Sequence, residues 1–229
     1  MEWMQRVIRR SGVFSRLLIL LLGLAALLLA YTLIRQNLPG RLTHSWPWKL
    51  RLLDVQSAVA AVLATGGAYL ARAQYARTVR PALGYISRVY AGFAPRDQLA
   101  WVCHLFNGSQ DVATVEEVAY RFTYTPVAHA GGAADSSAWI GHREAVAALE
   151  AGGLLSREDF SLNSIGPGNP LGGQQQIFVG WFTEKAMRDV QDAFVRVRVT
   201  DRVGDAHEQV INLMKAAVRS PSHPDPLPL

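Results

Sequence analysis

The chain has 229 residues, of which half are hydrophobic and 18% are charged, with one cysteine and a formal net charge of +5. This length allows one domain with an appendage, or two small domains. The composition excludes a disordered chain, a collagen and a disulfide-stapled secreted module. A mean hydropathy of +0.10 is high for a soluble domain and directs attention to segments that belong in lipid.

The first such segment, residues 17–34, is rich in leucine and contains no charge between Arg16 and Arg35. A helix rises 1.5 Å per residue, so this run reaches about 27 Å, close to the thickness of a bilayer's hydrocarbon core. The run predicts a transmembrane helix. A cleaved signal peptide is the alternative, but Leu28-Leu29-Ala30 is a poor cleavage site.

A second, weaker segment covers residues 55–71, between Asp54 and Arg72. Trp46 and Trp48 precede it, as expected of aromatic residues at a membrane interface. We predict a second transmembrane helix here, which would complete a helical hairpin. An amphipathic or re-entrant segment is the alternative.

Small residues recur every fourth position along the second segment, at Ala60, Ala64 and Ala68. Such a stripe lets two helices approach closely in lipid. We expect it to pack either on Leu21, Leu24 and Leu28 of the first span or on a second copy of the chain. A homo-oligomer formed through the second span is therefore one prediction.

The basic residues flanking the two segments predict their orientation. Seven lie outside the hairpin and four lie in the loop of residues 35–54: Arg6, Arg9, Arg10, Arg16, Arg72, Arg77 and Arg80, against Arg35, Arg41, Lys49 and Arg51. The positive-inside rule places both termini in the cytoplasm and this loop outside. The free thiol of Cys103 agrees with a reducing compartment.

Charge is distributed unevenly along the chain. Residues 1–81 contain eleven basic and two acidic residues, whereas residues 82–219 contain twelve basic and fifteen acidic residues. A nucleic-acid-binding domain would carry the basic excess itself, so this pattern argues against DNA or RNA as a partner. Arginine exceeds lysine by 20 to 3, which we associate with a GC-rich bacterial genome.

After residue 81 the pattern changes to short strands. We predict them over residues 99–106, 112–124, 176–182, 194–200 and 207–214, the last two joined as a hairpin through residues 201–205. In the third strand, Ile177, Val179 and Trp181 are expected on one side. In the fourth, Phe194 or Val195, together with Val197 and Val199, should face the core while Arg196 and Arg198 stay solvated.

Two short helices are predicted among these strands. One covers residues 142–151, with Val146 and Leu149 inward and Gly152-Gly153 as its stop. The other covers residues 184–191 after Thr183 as N-cap.

The predicted architecture has three parts. Residues 1–81 form a membrane anchor, and residues 82–219 form a mainly β, antiparallel, immunoglobulin-like sandwich with short helical insertions. Residues 220–229 contain four prolines and are predicted to be a disordered or extended tail.

The chain resembles uncharacterised bacterial membrane proteins with two N-terminal spans. The resemblance rests on Arg80-Pro81 after the hairpin, followed by a strand ending at Asn107-Gly108-Ser109 and then a Val-rich strand. The resemblance covers residues 15–125. It implies a cytoplasmic β-sandwich behind the spans, and it implies no catalytic residues.

The sequence contains only weak motifs for catalysis, phosphate binding or metal binding. The Gly-rich residues 166–173 lack the Gly-Lys-Ser/Thr ending of a phosphate loop and are interpreted as a plain loop. Asp201, Asp205 and Glu208 could ligate a metal, but turn residues explain them better. Cys103 is interpreted as a core residue. We therefore assign no catalytic, cofactor-binding or metal-binding residue.

These observations predict a membrane-anchored, non-enzymatic interaction or ligand-sensing protein of the bacterial inner membrane. Its partners would be the lipid bilayer and a protein or small molecule that contacts the β-domain in the cytoplasm. The alternative is an enzyme or ligand-gated effector with a site near Trp139, Asp159 and residues 166–173, because a sandwich fold does not define one function.

Overall fold

A computed structural model of the chain describes residues 5–9, 12–42, 44 and 47–226. Arg10 and Trp46, which entered the topology prediction, lie outside these residues. The chain divides into a helical unit, residues 11–78, and a β-unit, residues 1–10 and 79–229. The N-terminal residues therefore group with the β-unit, whereas the sequence had suggested that they belong to the anchor.

The helical unit contains α1 (Gly12–Asn37) and α2 (Val55–Thr78), which include both predicted segments. Of the helices in the described residues, α1 alone is long and apolar enough to cross a membrane, a property shared by signal sequences and by some core helices. The same criterion does not identify α2, because polar residues such as Gln56 and Thr65 lower its hydropathy. By this measure there is one candidate span and not the predicted pair.

The two helices pack against each other along one seam. Their buried and half-buried positions recur at alternating intervals of three and four residues, as in a coiled coil: Ser15, Leu18, Leu22, Ala25, Leu29 and Thr32 on α1, and Ala58, Val62, Thr65, Tyr69, Arg72 and Ala76 on α2. Arg72 Nε donates to Ser15 Oγ at 3.0 Å, so the start of α1 lies beside the end of α2. The helices are therefore antiparallel.

The predicted alanine stripe does not form this seam. Ala60, Ala64 and Ala68 are exposed on α2. Ala58, fully buried, occupies the seam instead. The expectation that the stripe packs on leucines of the same chain is therefore wrong, because a strict four-residue interval drifts off a seam whose intervals alternate between three and four.

The described residues of the β-unit form nine strands and three short helices. The strands are β1 (Arg6–Arg9), β2 (Leu83–Tyr90), β3 (Ala100–Asn107), β4 (Ala113–Tyr124), β5 (Phe160–Leu162), β6 (Pro170–Leu171), β7 (Gln175–Thr183), β8 (Val190–Thr200) and β9 (Ala206–Asn212). The helices are α3 (Pro126–Ala130), α4 (His142–Ala151) and α5 (Glu184–Asp189). A single 3-10 turn covers Pro95–Asp97.

The strands form two antiparallel sheets. One has the order β1-β9-β8-β4-β6 and the other β2-β3-β7-β5. A single hydrophobic cluster draws on both sheets, with Leu105 and Phe182 from the second and Tyr120, Val195 and Ile211 from the first. The mainly β, antiparallel prediction for this part of the chain is confirmed.

The five predicted strands correspond to β3, β4, β7, β8 and β9, and α4 has the predicted bounds. In β8, Val195, Val197 and Val199 are buried as expected. Four strands, β1, β2, β5 and β6, were not predicted, and β6 lies within the Gly-rich segment interpreted as a plain loop.

The prediction for the direction of the Trp181 side chain in β7 is wrong. The pairing of β3 with β7 shifts register beside Cys103 and His104, where Val179 is the extra residue of a bulge. A bulge reverses the alternation that follows it. Phe182 therefore faces the main core, whereas Trp181 packs in a separate cluster with Val102.

We predict that Ala58→Leu will destabilise the helical unit by about 1–3 kcal/mol, because the seam has no room for three more carbon atoms at a fully buried position. Unfolding of the full chain in detergent micelles would measure this. Ala64→Leu is the matched control, since Ala64 is exposed on the same helix. Equal losses from the two changes would contradict the seam.

Candidate functional site: an ion-pair ladder on the five-stranded sheet

The cysteine and histidines considered for chemistry lie apart. Cys103 is buried in β3, and burial raises the pKa of its thiol to about 12, so the thiolate nucleophile is disfavoured. His129 lies 3.2 Å from Asp135, and His142 Nε2 lies 3.1 Å from the carbonyl of Leu162. These contacts position loops, and none joins a histidine to Cys103.

The acidic residues considered for metal binding are engaged elsewhere. Asp201 Oδ2 lies 2.8 Å from His207 Nε2 in a buried pair, while Asp201 Oδ1 accepts from the backbone N–H groups of Val203 and Asp205. Glu208 follows His207 on a strand and binds arginines on the other face of the sheet. Across the described residues, no group of three His, Cys, Asp or Glu side chains could hold a metal ion.

The structure does not bring Trp139 and Asp159 into contact. Asp159 Oδ2 lies 2.6 Å from Lys185 Nζ and accepts from the Leu155 N–H, beside the four-stranded sheet. Trp139 lies on the five-stranded sheet between the guanidinium groups of Arg121 and Arg196, at 5.1 and 5.0 Å. The cleft suggested by the sequence is thus divided between two sheets.

What the structure does assemble is a row of alternating charges across four strands of the larger sheet. Arg6 of β1 pairs in register with Glu208 of β9, Glu208 with Arg198 of β8, and Arg198 with Glu117 of β4. Arg6 binds Glu208 at 2.5 Å, and Arg198 binds Glu208 and Glu117 at 2.7 Å each. We call these four residues the ion-pair ladder.

Glu208 is the most buried member of the ladder, with 3% of its side chain exposed against 64% for Arg6. Burial alone raises the pKa of this carboxyl, but hydrogen bonds from Arg198 and Arg6 outweigh burial and lower it overall. The same contact, chiefly the hydrogen bond to Glu208, raises the pKa of Arg198. The ladder therefore holds Glu208 as a carboxylate.

Arg196 and Arg198 are not simply solvated, as the sequence had suggested. Arg196 lies 2.7 Å from Glu117 and stacks on Trp139, and only 17% of its side chain is exposed. Such cation–π contacts stabilise folded proteins by about 0.5–2 kcal/mol. The polar face of β8 is thus covered by its own neighbours.

The segment before α1 is tied to both sheets. Gln5 Nε2 donates to the carbonyl of Pro81, and Gln5 Oε1 accepts from the N–H of Leu83 at the start of β2. On the larger sheet, Arg9 binds Glu116 at 2.9 Å. The site therefore attaches the N-terminal residues to the body of the β-unit.

Part of the ladder was within reach of sequence reasoning. Once the turn over residues 201–205 is placed, hairpin register puts Arg198 opposite Glu208, which a search for opposite charges across the turn would have found. Glu117 and Arg6 contact ladder residues that are distant in sequence, so no local sequence pattern predicts these two ion pairs.

The chain matches no family model, no curated protein and no solved structure. The resemblance to two-span bacterial proteins therefore stays a prediction.

We predict that Glu208→Gln will lower the free energy of unfolding of the β-unit by about 1–3 kcal/mol, because the buried amide cannot replace charge-assisted bonds to two arginines. Urea unfolding of the full chain in micelles would measure this. Glu116→Gln is the matched control: its pair with Arg9 is more exposed, and its loss should be below about 1 kcal/mol.

The stabilising effect of Glu208 should depend on pH. Its folded pKa is lowered from 4.5, so its contribution is fully present above that value and is lost as the pH falls through the folded pKa. The difference in stability between the wild type and Glu208→Gln should therefore shrink on acidification below 4.5. A difference that grows there would contradict the ladder.

Proposed function

We propose that the chain is a membrane-anchored, non-enzymatic interaction protein of the bacterial inner membrane, with its β-unit at the cytoplasmic face. In this proposal, α1 and α2 form a transmembrane hairpin. The β-unit then contacts a protein or small-molecule partner. The observation that carries the proposal is the pairing of β1 with β9, which brings the chain before α1 and the chain after α2 into one sheet.

The distribution of apolar residues in the helical unit supports insertion into lipid. Besides leucines such as Leu18, its seam contains small and polar residues, among them Ser15, Thr32 and Thr65. Its exposed positions carry the large apolar side chains: Leu17, Ile19, Leu20, Leu21, Leu24, Leu27, Leu33 and Ile34 on α1, and Val59, Leu63 and Leu70 on α2. In water this arrangement would expose a large apolar surface, whereas in a bilayer it is the expected one.

The connectivity supports two crossings. β1 ends at Arg9, three residues before α1 begins, and β2 begins at Leu83, five residues after α2 ends. If α1 crosses a membrane, a chain whose two ends meet in one domain must cross back. Among the described helices of this unit, only α2 is available for the return, and its uncharged stretch between Asp54 and Arg72 is about 25 Å long as a helix.

The same pairing argues against a cleaved signal peptide. Cleavage after α1 would remove β1 together with the helix. That loss would take Arg6 from Glu208 and leave the edge of β9 unpaired. A retained anchor keeps these bonds.

The orientation of the proposal rests on charge. The hairpin ends that connect to the β-unit in sequence carry Arg16, Arg72 and Arg77. More basic residues flank these ends than lie in the loop between the helices. Cytoplasmic placement follows from the positive-inside rule.

An interaction role is supported by how the polar groups of the β-unit are used. Asp159 pairs with Lys185, and His207 pairs with Asp201. The ladder residues pair with one another, and Cys103 is buried as a protonated thiol. These side chains stabilise the fold. Exposed apolar residues such as Phe93 and Val127 offer contact area to a partner.

We also propose an immunoglobulin-like sandwich for the β-unit. Immunoglobulin sheets have the strand orders A-B-E-D and G-F-C. The orders β2-β3-β7-β5 and β9-β8-β4 agree with these when the strands are lettered along the chain. Two strands depart from this pattern. One is β1, which pairs with β9, and the other is β6, which lies beside β4 as a C′ strand would but follows β5 in sequence.

The topology is testable because buried Cys103 makes the natural chain a background that thiol reagents label poorly. We expect a membrane-impermeant maleimide to label Lys49→Cys in intact spheroplasts, since Lys49 lies in the loop between the helices. Glu158→Cys, on the exposed surface of the β-unit, should react only after the membrane is permeabilised.

The unmodified chain is the control and should remain unlabelled in both conditions. Labelling of Glu158→Cys in intact spheroplasts would overturn the cytoplasmic placement. Protection of both positions would overturn the two crossings.

A further inference from the structure

The C-terminal residues run from α5 to the edge of the other sheet. At one end, the Arg219 guanidinium donates to the carbonyls of Met187, Val190 and Gln191, where α5 ends and β8 begins. At the other end, Asp225 bonds to Val89 of β2. We call residues 219–226 the strap.

Asp225 engages β2 as a residue of an added strand would. Its backbone N–H donates to the carbonyl of Val89 at 2.9 Å, and its carboxylate accepts from the Val89 N–H at 2.7 Å. The neighbouring Arg88 donates to the carbonyl of Pro226 at 2.9 Å. Both backbone groups of one edge residue are thus satisfied by the strap.

β2 is the edge strand of the four-stranded sheet. In an antiparallel pair, alternate residues direct their N–H and C=O groups away from the neighbouring strand. Val89 binds Asp225 with both groups, so Ser87 has the same outward direction. Unpaired edges of this kind accept extended segments from other chains.

We propose that the edge of β2 is a peptide-binding site for an extended Asp-Pro segment, and that the strap is its resident intramolecular ligand. The acidic residue supplies one donor and one acceptor to Val89, and the proline supplies a carbonyl to Arg88. A segment with the same dipeptide would displace the strap. The site is independent of the membrane topology proposed above.

The prolines limit the backbone donors that the strap offers to β2. Pro224 and Pro226 have no backbone N–H, so Asp225 carries the only such donor in this triplet. The rings also restrict the strap to extended conformations, which reduces the entropy lost when it binds.

Tethering determines how firmly the strap stays in place. Three hydrogen bonds give weak binding in trans, but the chain holds Asp225 near Val89 at an effective concentration on the order of millimolar. The strap therefore covers the edge under ordinary conditions and remains displaceable.

Amide hydrogen exchange at Val89 in the full chain would test the proposal. In Asp225→Ala we expect exchange to become about tenfold faster, since the bond to the Val89 N–H is lost. A synthetic peptide of residues 219–229, added at millimolar concentration to that variant, should slow the exchange again. The same peptide with alanine in place of Asp225 should have no effect.

His223→Ala is the control within the strap, because the His223 ring bonds to Ser222 of the strap itself and not to the β2 residues Arg88 and Val89. Its Val89 exchange should match the wild type. Unchanged exchange in Asp225→Ala would show that the strap does not cover β2. Faster exchange without rescue by the peptide would overturn the peptide-binding site.

Discussion

The β-unit depends on the buried carboxylate of Glu208, which is stabilised by ion pairs with two arginines. A buried carboxylate is destabilising unless hydrogen-bonded cations surround it. Arg198 comes from the adjacent strand of a hairpin, but Arg6 comes from a segment 202 residues away in sequence. The N-terminal residues are therefore part of the β-unit, and the whole helical unit is an insertion between the first strand of a sheet and the remaining strands.

The two units place their polar groups in opposite ways. In the helical unit, small and polar residues such as Ala58 and Ser15 share the seam with Leu18, while many other leucines are exposed. In the β-unit the apolar residues are inside, and charges occupy the outer face of the larger sheet in alternating sign. An apolar outer surface is favoured in lipid and a charged outer surface is favoured in water.

Sequence patterns were informative where structure is local. The β8–β9 hairpin and α4 follow from alternation, a turn and a helix stop within about ten residues each. Three structural features could not be predicted from local sequence patterns, for one shared reason. β1 is four residues long, the bulge at Val179 reverses one strand's alternation, and the seam of α2 replaces the Ala60 stripe; each depends on a partner distant in the chain.

Segments near both ends of the described chain cover one edge of each sheet. β1 pairs with β9 at the edge of one sheet, and the strap binds Val89 at the edge of the other. The opposite edges end in β6 and β5, which are two and three residues long. Long unpaired edges invite association between chains, and short strands or covering segments suppress it. The two covers differ in strength: β1 combines backbone pairing to β9 with two ion pairs, whereas the strap makes three hydrogen bonds to Val89 and Arg88 of β2. Of the two long edges, the one at β2 is therefore the edge that can open without disturbing the core.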